Sequence, residues 1–442
     1  MSQTESIPIN ADDVANRRYS LLRRRKLTYR WLAIWSLGLL FVYALSLVAV
    51  PIAVVVYAIG FVVIAVTQPA VALATIFAVA PFQYDLSAGF GVKFSLAEIS
   101  IALFTPIVLI RYINRFTLGP LTIPVLLYFV VSVVSTLLND PNKASVVSLV
   151  QMFLYLVLVV GIFASAVKRP DDLVPSLHFL AAIGFFLGIA SIVTGGGYVL
   201  GLHKNGVGAS LAFALIVTAG LWIHEQDHKI RRKLMICLAV IGGGLLLTLS
   251  RGAWLGSIMG LFVLCLMFGR LSLILWVSMI LVPGILILWF LLPEQSRDYA
   301  TDLDADSHNI RARLNMIEYA MGWFKTSPII GVGVGLRKDY DATNVVMSTL
   351  AETGLLGLAS FVLIHVAFGR MVWSLRRLPR DSTGKLVVAI ATALMCNKLV
   401  HGQVDHYWGR GPCTMAFAAV GMAVLVWRTS RQGISSTPQG SA

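Results

Sequence analysis

Residues 121–138 read LTIPVLLYFVVSVVSTLL, and this stretch contains no charged side chain. A helix of about 20 apolar residues is long enough to cross the hydrocarbon core of a bilayer. A second run of this kind, residues 271–292, reads LSLILWVSMILVPGILILWFLL. Of the 442 residues, 57% are hydrophobic and only 13% are charged, which is too apolar for a fold that is solvated by water. The sequence therefore predicts a chain that is solvated by lipid.

Apolar runs recur along the whole chain. They predict an all-α polytopic membrane protein with about 12–14 transmembrane helices. The second and third spans are the weakest, because both are short and are broken by Pro51 and Pro69. The predicted spans are residues 31–48, 52–66, 70–80, 96–110, 121–138, 146–167, 173–193, 206–222, 234–249, 254–268, 271–292, 345–368, 386–399 and 415–427.

The composition excludes several other classes of protein. The net charge of +14 does not indicate nucleic-acid binding, because the basic residues lie between apolar runs and form no single soluble module. The four cysteines show no CxxC spacing, so neither a disulfide framework nor a zinc site is predicted. Arg23 to Lys26 precede a full-length apolar run without a small-residue cleavage pattern, which predicts an uncleaved anchor.

The charges between the spans predict their orientation. An even number of spans and a cytoplasmic N-terminus place most Lys and Arg residues in the cytoplasm, as the positive-inside rule requires. The predicted organisation is a cytoplasmic basic tail (1–30), transmembrane helices (31–292), an external loop (293–344), transmembrane helices that complete a site (345–428) and a cytoplasmic tail (429–442).

The external loop is too short for an independent core, yet it contains a helical pattern. Ile310, Leu314, Ile317 and Met321 recur at helical spacing. We expect an amphipathic helix that lies on the membrane surface.

Several arginines are predicted on the external side. Arg251 precedes the span at 254–268, and His308, Arg311 and Arg313 open the loop helix. Arginine forks suit phosphate oxygens, although Arg251 is equally explained as an interfacial anchor. The alternating glycines at 331–335 are typical of a tight backbone turn, but without GK[ST] and a preceding strand they do not indicate a nucleotide-binding loop.

A carboxylate follows inside the next span. Asn344 leads into this span, and Glu352 lies about two helical turns inside the membrane. A buried carboxylate needs a partner, so Glu352 is either catalytic or part of a structural ion pair or helix–helix hydrogen bond.

The last external segment contains a further cluster. Lys398, His401 and Asp405 share one helical stripe if the helix continues through Asp405. His401, Asp405 or His406 would act as a general base, and Arg410 adds a cation. Two His and an Asp are also compatible with a metal site, and a gating or structural network is a third alternative.

These groups together predict a reaction centre on the outer side of the membrane. Several cations with a few acids match the requirements of an anionic, lipid-linked diphosphate leaving group. Cytoplasmic nucleotide sugars are less suitable donors, because they lie on the other side.

Three segments resemble the O-antigen polymerase and O-antigen ligase superfamily of bacterial membrane glycosyltransferases. They are residues 250–256 (SRGAWLG), the stretch from Arg313 to Gly335, and residues 344–357 with their Leu-x-Glu-x-Gly core. The resemblance covers roughly residues 243–368. It implies an inner-membrane enzyme that transfers a glycan from an undecaprenyl-diphosphate carrier to an acceptor hydroxyl at the periplasmic face, without a metal or other cofactor. Arg251 and Arg313 would hold the diphosphate, with Arg311 nearby.

The chain departs from the family pattern at one position. Ligase-like members usually carry His-Asn where this chain has Thr343 and Asn344. The expected base is missing, and its possible replacements are His401, Asp405, His406 and His308. We therefore expect an inverting polymerase of O-antigen or exopolysaccharide type before a ligase that attaches glycan to lipid A core. Its expected partners are the lipid-linked donor, the acceptor glycan and the lipid bilayer, with a chain-length regulator and a flippase, but no nucleic acid.

Two other classes of protein remain as alternatives. A transporter or lipid flippase is favoured by the intramembrane residues Glu98, Glu352 and Lys398. A non-enzymatic scaffold for envelope assembly would tolerate alanine throughout the outer polar cluster.

Overall fold

The computed structural model describes residues 11–82, 86–87, 93–273, 308–336, 343–405 and 410–432. The secondary structure of these residues is almost entirely helical. Their helices are α1 (Ala11–Ser46), α2 (Val50–Thr67), α3 (Pro69–Val79), α4 (Leu96–Tyr112), α5 (Thr122–Leu137), α6 (Lys143–Phe153), α7 (Val160–Ser165), α8 (Val174–Thr194), α9 (Lys204–His224), α10 (His228–Leu247), α11 (Arg251–Phe268), α12 (His308–Thr326), α13 (Val345–Ser374), α14 (Thr383–His401) and α15 (Arg410–Arg431).

Short elements connect the helices. A π-helical segment (Leu154–Val159) joins α6 to α7. Two small antiparallel hairpins pair β1 (Leu86–Ser87) with β2 (Lys93–Phe94) and β3 (Tyr198–Val199) with β4 (Leu202–His203). Short 3-10 turns lie at Ile113–Arg115, Gly119–Leu121 and Pro170–Leu173.

The prediction of a polytopic membrane protein is confirmed. In the described ranges, 11 helical segments are long and apolar enough to cross a bilayer, and they coincide with predicted spans. The predicted span 70–80 is the shorter apolar helix α3, and the predicted span 234–249 lies in α10 as far as Leu247, where this helix, whose first turns are basic, ends. The span predicted at 271–292 lies outside the described residues from 274 onward.

The helix bundle has an end that is rich in basic residues. Arg25 of α1 forms an ion pair with Asp171 at 2.7 Å, and Thr383 of α14 donates to the same carboxylate. At the end of α15, Arg428 donates to the carbonyls of Arg115 and Val167. We call this end, where α1 begins and α15 ends, the basic end.

Arginine–tryptophan pairs mark the same end of the bundle. Arg231 lies over Trp222, Arg376 over Trp373 and Arg431 over Trp427, each at 4.5–4.6 Å from the ring centroid. Such residues are typical of a membrane–water interface. The opposite end holds the turns at 138–142, 195–203, 248–250 and 402–405, and we call it the site end.

Helix α13 is broken at Gly354, whose backbone (φ 62°, ψ −163°) is not helical. The segment Pro328–Gly335 fills this break. The N–H groups of Leu355 and Leu356 donate to the carbonyls of Pro328 and Ile329. A membrane-spanning helix can be interrupted only where other protein groups satisfy its freed backbone, and this segment does so.

The glycine-rich residues 331–335 bind to the part of α13 that precedes the break. Val332 N donates to Ala351 O and Gly333 N to Glu352 O, each at 3.0 Å. Gly331 has a φ of 74°, and a Cβ there would overlap the backbone of Glu352. The predicted tight turn is therefore confirmed, and it is a turn that docks against a broken helix.

The predicted loop helix is confirmed as α12. It packs on α13 through the buried residues Ala320 and Ala351. Leu314, which belongs to the predicted apolar stripe, is 52% exposed, whereas Ile317 and Met321 of the same stripe are half-buried. Its position on a membrane surface stays a prediction.

Substitution Gly354→Ala is expected to lower the melting temperature of the purified protein in detergent. Essentially only glycine adopts this backbone conformation, and a Cβ would overlap the carbonyl group of Ile329. Backbone strain of this kind costs about 1–3 kcal/mol. Gly369→Ala in the same helix is the control, because its Cβ meets no described atom within 4 Å. Equal melting temperatures for the two variants would contradict the proposed filling of the break.

Candidate functional site

Close packing between α11 and α14 positions His401. Gly252, Gly256 and Gly260 form a stripe on α11, and small residues of this kind let two helices approach closely. A Cβ on Gly252 would lie 2.7 Å from Cδ2 of His401, and one on Gly260 would lie 3.1 Å from the carbonyl of Ala393. His401 is consequently 1% exposed, with its ring against the first turn of α11.

The first turn of α11 also contains Arg251. The helix begins directly after the buried Ser250, and Leu249 before it has the left-handed φ of 51°. This tight turn brings Arg251 to the site end, next to the Gly252–His401 contact. The half-buried position of Arg251 differs from that of a fully exposed surface anchor.

Asp405 lies in the turn that follows α14. The sequence places Lys398, His401 and Asp405 on one helical stripe only if the helix continues through Asp405, and this condition is not met, because α14 ends at His401. The chain instead folds back, with Asp405 N donating to His401 O at 3.0 Å. The carboxylate of Asp405 still comes close enough to Lys398 for an electrostatic interaction. The two residues therefore lie together as predicted, although a turn and not a helix brings Asp405 to this position.

Asn205, at the start of α9, holds this carboxylate in place. Its Nδ2 donates to Oδ2 of Asp405 at 2.7 Å. Burial raises the pKa of Asp405, while the positive charges of Arg313 and Lys398 act in the opposite direction. Asp405 is therefore a carboxylate with a raised pKa that faces two cations.

Helix α12 brings Arg313 to this group. Arg313 is half-buried and interacts electrostatically with both His401 and Asp405. Arg311 is exposed, and residues two apart on a helix do not share a face. The structure thus separates the two arginines that the sequence placed together.

Three predicted residues lie partly or wholly outside the described structure. His308 begins α12 and Arg410 begins α15, but their side chains are not among the described groups, and His406 lies outside the described ranges. Within those ranges, no three His, Cys, Asp or Glu side chains form a group that could hold a metal ion. The metal alternative involving His406 stays untested.

Asn344 ties two segments of the site end together. Its Oδ1 accepts from Val346 N and Met347 N and so caps α13, while its Nδ2 donates to the carbonyl of Gln403 at 3.0 Å. Val345 N donates to Gly402 O at 2.8 Å. These bonds fix the turn with Asp405 against the start of α13.

Glu352 belongs to a second polar group. Its Oε1 accepts from Gly335 N at 2.9 Å, next to the break in α13. The carboxylate lines a cavity of about 100 Å³ that also contains Tyr128, Gln151 and His365. The sequence left two roles open for Glu352, a catalytic one and a structural one. The hydrogen bond with Gly335 is a structural contact, and a catalytic role of Glu352 stays a hypothesis.

Glu98 has several hydrogen-bond partners. It forms a capping box with Ser95 at the start of α4. Its Oε1 also accepts from Gln151 Nε2 at 3.0 Å and from Tyr155 OH at 2.8 Å. This intramembrane carboxylate, which suggested a transporter, therefore joins α4 to α6 and to the π-helical segment.

Sequence reasoning missed Asn205 and the lining of the cavity. The signal for Asn205 was an amide that follows the glycine-rich turn at 195–197. The signal for His365 was an ionisable residue inside a predicted span. Neither signal identifies the partner, because Asn205 and Asp405 are 200 positions apart in the chain.

Part of the chain matches a known protein family. Residues 234–362 match the family described as O-Antigen ligase. This segment includes Arg251, Arg313, Asn344 and Glu352, and it confirms the resemblance found at 243–368. It ends before His401 and Asp405. No curated protein matched the chain.

Glu352→Gln is expected to preserve the melting temperature of the purified protein, because the amide oxygen still accepts from Gly335 N. Glu352→Ala removes the acceptor, and a buried N–H group without a partner costs about 1–3 kcal/mol. A large loss of stability in the Gln variant would contradict this account, since it would show that the negative charge is required.

Proposed function

We propose that this protein, a multi-pass membrane glycosyltransferase of the O-Antigen ligase type, polymerises a lipid-linked bacterial glycan. The family acts on lipid-linked glycans in polysaccharide and lipopolysaccharide biosynthesis. In the proposed reaction, a repeat unit leaves its undecaprenyl-diphosphate carrier and joins a sugar hydroxyl of the next unit.

One observation carries the proposal. At the site end of the bundle, Arg313 from the loop helix interacts electrostatically with the carboxylate of Asp405, and Arg251 begins α11 next to Gly252, which packs against His401 and Val404. Two arginines supply the donors that a diphosphate needs, and a nearby carboxylate with a raised pKa is suited to accept a proton.

The proposed chemistry is a single displacement. The acceptor hydroxyl oxygen attacks the anomeric carbon of the donor, and its proton passes to Asp405. The bond between the anomeric carbon and the diphosphate oxygen breaks, and the electron pair leaves with undecaprenyl diphosphate. Arg251 and Arg313 stabilise the charge that develops on this leaving group. Attack from the face opposite the diphosphate inverts the anomeric configuration.

Asp405 is a better candidate for the base than His401. The ring of His401 is 1% exposed and packs against Gly252, whereas Asp405 is half-buried. Asn205 engages Oδ2 of Asp405, so Oδ1 is the oxygen proposed to take the proton. His406, outside the described residues, stays a candidate for the same role.

The charge distribution supports an orientation for the protein. The positive-inside rule assigns the basic end to the cytoplasm. Both termini are then cytoplasmic, and the site end faces the periplasm. Donors carried by a membrane lipid reach this face, whereas cytoplasmic nucleotide sugars do not. A flippase and a chain-length regulator are the expected partners.

A ligase that transfers the glycan to lipid A core is the main alternative. Thr343 stands where ligase-like relatives carry His, and this difference favours the polymerase. A transporter would use a broken helix as an open ion site. The break at Gly354 is filled by the chain's own segment Pro328–Gly335, which argues against that role.

Substitutions Arg313→Ala and Asp405→Asn are expected to reduce polymer formation in membranes that contain the lipid-linked repeat. Loss of a stabilising donor typically costs about 100- to 1,000-fold in rate, and loss of a general base about 100- to 10,000-fold. The control is Lys325→Ala, an exposed cation in the last turn of the same helix.

Asp405→Asn is a mild change, because the Asn oxygen still accepts from Asn205. Polymer formation at the wild-type rate by either site variant would contradict the proposed site. An equal loss in Lys325→Ala would indicate a general requirement for positive charge on α12.

Asn205→Ala is expected to shift the acid limb of the pH–rate profile to higher pH. Asn205 donates to the charged form of Asp405, and its removal raises the pKa of this carboxyl further. A base is inactive when it is protonated, so activity is lost at a higher pH as the medium is acidified. Initial rates across the pH range provide the test. A uniform loss at every pH would indicate that Asn205 only supports the fold.

A further inference from the structure

The hairpin β3–β4 presents an aromatic pair at the site end. Its register places Tyr198 opposite His203 and Val199 opposite Leu202. Val199 and Leu202 are 0% and 8% exposed and pack in the core, whereas Tyr198 is 70% exposed. The rings of Tyr198 and His203 lie 5.5 Å apart at 78°. The alternation along the two strands thus holds two rings on the outer face of an anchored hairpin.

Two contacts place this aromatic pair beside the proposed reaction centre. At the start of the hairpin, Gly196 has a φ of 80°, and a Cβ there would overlap the carbonyl of Leu247. This carbonyl lies just before the turn that leads to Arg251. At the other end, His203 Nδ1 accepts from Asn205 N at 3.4 Å, and Asn205 holds Asp405. The hairpin therefore connects the segment of a donor-binding arginine to the proposed base.

We propose that Tyr198 and His203 form the subsite that binds the sugar ring of the acceptor. This inference rests on the proposed function, because it assigns a substrate group to the same reaction centre. One face of a pyranose ring carries C–H groups, and an aromatic ring can cover that face with little loss of side-chain entropy. The acceptor hydroxyl would then reach Asp405 from this platform.

The charge state of His203 fits this role. Burial, followed by the charge of Lys204, lowers the pKa of His203. The imidazole is therefore neutral at pH 7, and because its Nδ1 accepts from Asn205 N, the proton lies on Nε2, which can donate a hydrogen bond to a sugar hydroxyl.

An exposed tyrosine at a membrane surface can also be an interfacial anchor. The two roles predict different kinetics. An anchor affects the amount or stability of protein in the membrane, whereas an acceptor platform affects the KM for the acceptor. Leu200, in the same hairpin and 53% exposed, provides a matched control, because it is apolar but has no ring.

The test uses the full-length protein, purified and reconstituted in liposomes with the lipid-linked repeat unit as donor. The acceptor probe is the oligosaccharide released by mild acid from the lipid-linked pool of cells that lack this protein. Tyr198→Ala is expected to raise the KM for this acceptor by about three- to tenfold, with the donor KM and kcat unchanged. Tyr198→Trp should retain a KM near that of the wild type, and Leu200→Ala should leave it unchanged.

An unchanged acceptor KM in Tyr198→Ala, with or without a reduced amount of protein in the membrane, would overturn the inference and indicate an anchor only. An equal rise of KM in Leu200→Ala would also overturn it, since the ring would then not be the group that matters. Failure of the proposed function gives a different result, in which the wild-type protein forms no glycosidic bond or Asp405→Asn retains full activity.

Discussion

The site end depends on one constraint, which is that a break in a membrane-spanning helix must be satisfied by other protein groups. At Gly354 the segment Pro328–Gly335 meets this need, with hydrogen bonds on both sides of the break. This segment directly follows α12, so its docking fixes the end of the loop helix. The contact between Ala320 and Ala351 fixes the middle of the helix. Arg313 is thereby held in the first half of α12, near Asp405.

The second requirement is close approach between α11 and α14. The glycine stripe of α11 brings the start of that helix, with Arg251, against the end of α14, with His401. Asn344 and Asn205 then fix the turn after α14 from two sides, the first through Gln403 and the second through Asp405 itself. The site is thus assembled from α9, α11, α12, α13 and α14. A rigid arrangement of this kind keeps charged groups in position before the reaction begins.

The sequence predicted most of the fold, because span length and charge bias depend on composition alone. It predicted that Arg251, Arg313 and Asp405 lie on the same side of the membrane, since counting the spans from the N-terminus assigns each connecting segment to a side without any knowledge of packing. It could not predict that α14 ends at His401, because the residues from Gly402 to Asp405 do not contain a strong helix breaker apart from one glycine. The pairing of Asn205 with Asp405 was also hidden, since it joins two turns that only tertiary packing brings together.

The role of Glu352 shows a second limit of the sequence. Its depth in the span marked it as important, but depth does not separate catalysis from structure. The hydrogen bond from Gly335 N to the Glu352 carboxylate depends on the break at Gly354, and the Leu-x-Glu-x-Gly pattern does not predict that break. A single displacement on a diphosphate-linked donor determines the stereochemistry of the product. Purified protein should convert the lipid-linked repeat into a polymer whose new linkage, assigned by NMR, has the anomeric configuration opposite to that of the donor. A retained configuration would contradict the account, as would the absence of any new glycosidic bond.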